Sequence, residues 1–151
     1  MGRASASITV KGRAAEAEAL WYDRHRWASW VDGFGHVVLL DGEWPEVGSR
    51  LIWDSPPGGR GRVQERVVAY EIRTGQTLEV EDTTMTGRQT VAFTPGLEET
   101  EVTLTLEYEL KQRTVLTPIV DLLFVRRAMT DSLRRTLRKF ANERAAEIQF
   151  G

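Results

Sequence analysis

Polar and apolar residues alternate from Ser5 to Arg13, with Ile8 and Val10 on one side, which predicts a half-buried strand. Ala14 to Tyr22 is rich in Ala, Glu and Leu and predicts a helix, with Leu20 and Trp21 closing its apolar face. Asp23 to Val31 predicts a second short helix, because Trp27 and Trp30 at i, i+3 spacing share one face before Gly33 and Gly35 end it. A long β region follows. Strands are expected at Phe34–Leu40, Arg50–Asp54, Arg62–Arg73, Gln76–Thr84, Arg88–Thr94 and Thr100–Lys111. Turn signals separate many of them: Asp41-Gly42, Pro56-Pro57-Gly58-Gly59, Thr74-Gly75 and Pro95-Gly96. The clearest alternation is the last. Val102, Leu104, Leu106, Tyr108 and Leu110 face one way, and Glu101, Thr103, Thr105, Glu107 and Glu109 the other.

Pro118 opens a final helix at a position proline tolerates, with Thr117 placed to cap it. That helix is expected to run to about Ala146. Its apolar stripe reads Leu122, Met129, Leu133, Leu137, Phe140, interrupted by Arg126, and Arg127, Arg134, Arg135 and Arg138 lie largely off it. The order is a strand, two short helices, about six antiparallel strands and one long amphipathic helix. A one-sided antiparallel sheet needs cover on its apolar face, and the long helix supplies it. The expected class is α+β, one domain over residues 1–151, with room for a ligand where a bent sheet leaves space beneath the helix.

Composition narrows the chemistry. The 151 residues are 41% hydrophobic and 28% charged, as in an ordinary globular chain. There is no cysteine, which excludes disulfides, thiolate zinc sites and cysteine nucleophiles. His25 and His36 lie on different elements without a carboxylate pattern, so no metal site and no cofactor are expected. Net charge is −2 and gives no basic field for nucleic acid. The charge is uneven, net −7 over residues 1–110 and +6 over 111–144. The basic helix reads first as a solvated face, and second as a surface for acidic ligands or membranes. Residues 1–15 hold no apolar run of the kind a signal segment needs, and Ile119 to Val125 is too short to span a bilayer. A cytoplasmic protein without an integral membrane segment is expected, and a homodimer stays open.

Several stretches carry a resemblance. S-I-T-V-K-G-R-A-A-E-A-E-A-L-W-Y-D near the start, R-W-A-S-W-V-D-G-F from Arg26, G-S-R-L-I-W from Gly48 and E-T-E-V-T-L-T-L-E-Y from Glu99 fall in that order along nearly the whole chain. Together they resemble the START / Bet v 1-like (SRPBCC) superfamily, in particular its polyketide cyclase/dehydrase and lipid-transport group. The resemblance implies a helix-grip fold: a curved antiparallel sheet of about seven strands around a long C-terminal helix. It also implies a hydrophobic cavity between sheet and helix, open near the start of that helix.

On that reading the ligand-binding candidates are Trp27, Trp30, Trp53, Val80, Asp82, Phe93, Leu106, Tyr108, Leu122, Arg126 and Met129. Trp27 and Trp30 either stack on a ligand or anchor the short helices. Asp82 shares a strand face with Leu78 and Val80; inward, it needs a partner or a proton. Arg126 is the partner expected from the helix stripe. The alternative is that Asp82 ends its strand and faces water. Catalytic candidates are Asp82, Arg126 and Tyr108, with Tyr70 behind them. The glycines around Arg60 lack the Lys-Ser/Thr of a phosphate loop and read as a hairpin turn, and no serine sits in a G-x-S-x-G context. The first expectation is a binder of a lipid, polyketide or aromatic molecule. The second is an aromatase/cyclase-type enzyme using an acid/base group in the same cavity. The third is a regulatory or membrane-associated module, drawing on the basic helix.

Overall fold

The computed structural model describes residues 2–111 and 118–150, with side chains in the second stretch from Leu123 onward. Strand β1 (Gly2–Lys11) leads into helices α1 (Ala14–Tyr22) and α2 (Trp27–Trp30). Strands β2 (His36–Asp41), β3 (Arg50–Asp54), β4 (Arg62–Glu71), β5 (Gly75–Glu81), β6 (Met85–Pro95) and β7 (Glu99–Leu110) follow, then helix α3 (Pro118–Phe150). The strands form one antiparallel sheet in the order β1-β7-β6-β5-β4-β3-β2. This is the α+β helix-grip architecture, with α3 lying mainly over β1 and α2.

The alternation of β7 is realised as expected. Val102, Leu104, Leu106 and Tyr108 are buried beneath the helices. On the outer face, Ser5 meets Thr105 at 3.1 Å and Ser7 meets Thr103 at 2.9 Å, hydroxyl pairs that tie β1 to β7. Register shifts between Val37 and Leu39 and between Val67 and Ala69 break two ladders. Such bulges bend a strand and help curve the sheet.

One strand boundary moves for a local reason. The expected strand to Thr84 stops at Glu81, and β6 begins at Met85 rather than Arg88. The Asp82 carboxylate accepts from the backbone N–H of Thr84 at 2.8 Å and of Met85 at 3.0 Å. A side chain that captures the backbone N–H groups ahead of it replaces the ladder with a tight turn. The expected cap at Thr117 lies outside the described residues.

Along α3, Leu133, Leu137 and Phe140 are buried as the stripe predicts. Arg144 continues the same stripe at only 5% exposure. Its guanidinium donates to the Lys11 carbonyl at 3.1 Å and to Glu16 at 2.8 Å, and pairs with Glu147, so the buried charge is matched. Trp21, Trp30 and Phe140 meet edge-on or tilted, with centroids 4.6 to 5.1 Å apart, and lock α1, α2 and α3 together.

Candidate ligand cavity

A cavity of about 90 Å3 lies between the sheet, α2 and the middle of α3. Six aromatic rings contribute to its wall: Trp21, Trp27, Trp30, Phe34, Trp44 and Trp53. Leu51, Leu78, Val80 and Leu104 come from the sheet, and Leu133 and Thr136 from α3. The indoles are held by specific bonds. Trp27 Nε1 donates to the Trp21 carbonyl at 2.8 Å, and Trp44 Nε1 to that of Tyr22 at 2.9 Å. Trp53 Nε1 donates to Oε1 of Glu65. Trp30 Nε1 is buried and meets no acceptor among the described residues.

The polar part of the wall comes from Asp32, Arg60, Glu65, Gln76, Gln89 and Thr136. Glu65 stands between Val63 and Val67 on the inward face of β4. Burial pushes its carboxyl above the ordinary value; the Trp53 bond and the nearby Arg60 charge oppose that only in part. Arg60 stacks over the Trp53 ring at 5.4 Å and donates to Asp82 Oδ2 at 2.9 Å. Asp32 accepts from Ser132 at 2.8 Å and from Arg135 at 3.2 Å, which pins the loop after α2 onto α3. Burial pushes the Asp32 carboxyl up, but Arg135 and Ser132 outweigh it and hold it below the usual value.

Of the residues singled out in the sequence, Trp27, Trp30, Trp53 and Val80 line this cavity. Asp82 does not line it, but it is only 5% exposed, so the water-facing alternative is corrected. The expected Asp82–Arg126 pair is also corrected: Asp82 pairs with Arg60, and Arg126 is exposed. At that end of α3 the half-buried positions are Val125 and Met129, four apart, and Arg126 points about 100° away from Val125. Burial raises the Asp82 carboxyl, but the Thr84 backbone N–H and Arg60 overcome it, so it sits below the ordinary value. A carboxylate committed to a turn and an ion pair is a poor proton carrier. Phe93 packs in the core against Trp21 and Tyr22, at 6.3 and 6.2 Å. Leu106 and Tyr108 are buried on β7, outside the wall. Tyr108 is covered by Gly2, where an added Cβ would lie 2.3 Å from the phenol ring. Met129 packs at the core margin, and the Leu122 side chain lies outside the described residues.

The sequence reading missed Glu65, Gln76, Gln89, Arg60 and Asp32. Strand parity carries the first three: Glu65 alternates with Val63 and Val67, Gln76 with Leu78, and Gln89 with Val91. Arg60 and Asp32 sit in turns, where no periodicity exists to read.

The sequence profile of the family described as polyketide cyclase / dehydrase and lipid transport matches residues 1–144. The chain belongs to that family. No curated protein matches it by sequence. Among solved structures, the fold is similar to that of a START superfamily protein from Mycobacterium smegmatis, with a TM-score of 0.78 at 14% identity over 95% of this chain and 97% of that one. Norcoclaurine synthase from Thalictrum flavum, solved with dopamine and hydroxybenzaldehyde, gives 0.70 at 12% identity over 99% and 88%. The di-domain ARO/CYC StfQ of the steffimycin pathway gives 0.74 at 16% over 95% of this chain and 51% of that one. These likenesses show the helix-grip fold. Among its described residues no helix is long and apolar enough to cross a membrane, and no group of His, Cys, Asp and Glu could hold a metal ion.

Proposed function

We propose that the chain acts as one unit over residues 1–151 and binds a small hydrophobic molecule between sheet and α3. The observation that carries this reading is the cavity with its six aromatic rings. Its volume of about 90 Å3 is below the roughly 150 Å3 of an engineered apolar cavity that holds benzene, so a single ring is the largest guest it approaches and still needs a small outward shift of the wall. The relative solved with dopamine and hydroxybenzaldehyde holds single-ring compounds in the same fold. A lipid or polyketide chain needs more volume, roughly 300 Å3 or above, and so requires the wall to open. At about 25 cal/mol per Å2, burying roughly 100 Å2 of ring surface contributes about 2.5 kcal/mol before the losses of association. Titration with toluene, followed by tryptophan fluorescence and thermal shift, is expected to saturate and to raise Tm. Val80→Phe fills the cavity and is expected to abolish that response. No saturable response in the native chain, or the same response in Val80→Phe, overturns the reading.

One observation favours a second reading, the aromatase/cyclase-type enzyme. Glu65 is a desolvated carboxyl on the cavity wall, raised above its ordinary value by burial, the kind of group that can serve as a general acid or base. It takes the role first considered for Asp82, Arg126 and Tyr108. With a linear aryl poly-β-ketone as probe, cyclised product from the native chain and its loss in Glu65→Gln would support catalysis. A rate equal to buffer removes it. Binding stands first because the observed cavity is small for such a chain.

A further inference from the structure

We propose that the cavity is a site for a single-ring organic ammonium ion, with Glu65 as its counter-ion and the surrounding indoles as its walls. The proposal rests on the binding reading above and adds the charge of the ligand. Its basis is the inventory of charges on the wall. Among the described residues, three ionisable side chains reach the cavity: Asp32, Arg60 and Glu65. Asp32 is paired with Arg135 and Lys139 at 3.2 and 3.7 Å. Arg60 is paired with Asp82 at 2.9 Å. Glu65 has no ion pair among the described residues, and its one hydrogen bond there comes from the neutral Trp53 indole to Oε1. No hydrogen bond reaches Oε2 among the described residues.

A carboxylate in a desolvated wall needs either a proton or a cation. Burial raises the Glu65 carboxyl, and the Arg60 charge, committed to Asp82, opposes that only in part, so Glu65 has no ion pair of its own among the described residues. The rest of the wall suits the same guest. Indole faces attract cations, and aromatic cages hold ammonium groups by that attraction. The protein already uses it once, with the Arg60 guanidinium over Trp53. A neutral ring fills the same volume but offers Glu65 no charge. An anionic ring meets a carboxylate. A single-ring amine satisfies the acid and the aromatic walls together.

The test is isothermal titration of the intact chain at pH 7 with benzylamine and with benzyl alcohol, which differ by ammonium against hydroxyl on the same frame. Benzylamine is expected to bind at least about tenfold tighter. In Glu65→Gln, which keeps an acceptor for Trp53, that preference is expected to vanish. Benzyl alcohol binding as tightly as benzylamine, or a preference that survives Glu65→Gln, overturns the proposal and leaves the binding reading standing. If neither probe nor toluene binds the native chain, both fall. The native-chain comparison stands whether or not the variant folds.

Discussion

Arg60 donates from Nε to Oδ2 of Asp82 at 2.9 Å, tying the turn between β3 and β4 to the turn between β5 and β6. Oδ1 of the same carboxylate accepts from Thr84 Oγ1 at 3.0 Å and from two backbone N–H groups. One buried acid thus shapes a hairpin and holds the arginine that stacks on the Trp53 cavity wall.

Removing that acid should be felt in stability. Asp82→Ala is expected to lower the unfolding free energy by about 2 to 3 kcal/mol, read by urea denaturation, because a buried backbone donor loses a charged acceptor. Arg60→Met is expected to be milder, since Asp82 keeps its turn donors and the Arg60 side chain is 36% exposed. The pH sign follows from the depressed carboxyl. Its stabilisation is present above the ordinary Asp value of 3.8 and fades as pH falls through the lower folded value. The acid limb of the stability curve should therefore be shallower in Asp82→Asn than in the native chain.

The contrast between Asp82 and Glu65 explains how far the sequence could be read. Periodicity finds elements, so every strand and helix was legible, and the long alternation of β7 and the Leu133–Leu137–Phe140 stripe were legible residue by residue. Turn chemistry shifted the β5–β6 boundary because a side chain, not the pattern, decides where a hairpin closes. The cavity was half legible. Trp27, Trp30, Trp53 and Val80 follow from faces, as Glu65 would have by strand parity. Arg60 and Asp32 act through contacts between loops distant in sequence, which no local period encodes. Arg126 misled because one residue along a helix rotates a side chain by about 100°, enough to move it off a narrow stripe onto the surface.

Leu133 belongs both to the core and to the cavity wall. Leu133→Ala is expected to destabilise by about 3 kcal/mol, the usual loss for a buried leucine that leaves a void. The same void enlarges the site. Naphthalene, two fused rings, should therefore bind the variant more tightly than the native chain, and toluene less tightly. Paired urea and fluorescence titrations check both halves. Equal naphthalene affinity in the two proteins would mean that α3 does not limit the ligand's size.

Glu65 should oppose folding at neutral pH, the reverse of Asp82. Burial raises its carboxyl above the ordinary 4.5, so the folded state holds the proton more tightly than the unfolded chain. Below 4.5 both states are protonated and the group contributes nothing. As pH rises from there, the unfolded chain ionises first and stability falls, until the folded carboxyl ionises too and the loss levels off. Glu65→Gln keeps the acceptor for Trp53 Nε1 and has no charge to desolvate. It is expected to be more stable than the native chain at pH 7, with the gap closing as pH falls toward 4.5. Urea denaturation across that range measures the gap directly. A bound single-ring amine should narrow the gap from the other side, because a cation beside Glu65 stabilises the ionised folded form in the native chain and does nothing equivalent in Glu65→Gln. A variant less stable than the native chain at every pH would mean that the Glu65 carboxylate supports the fold, and that its charge is already matched without a ligand.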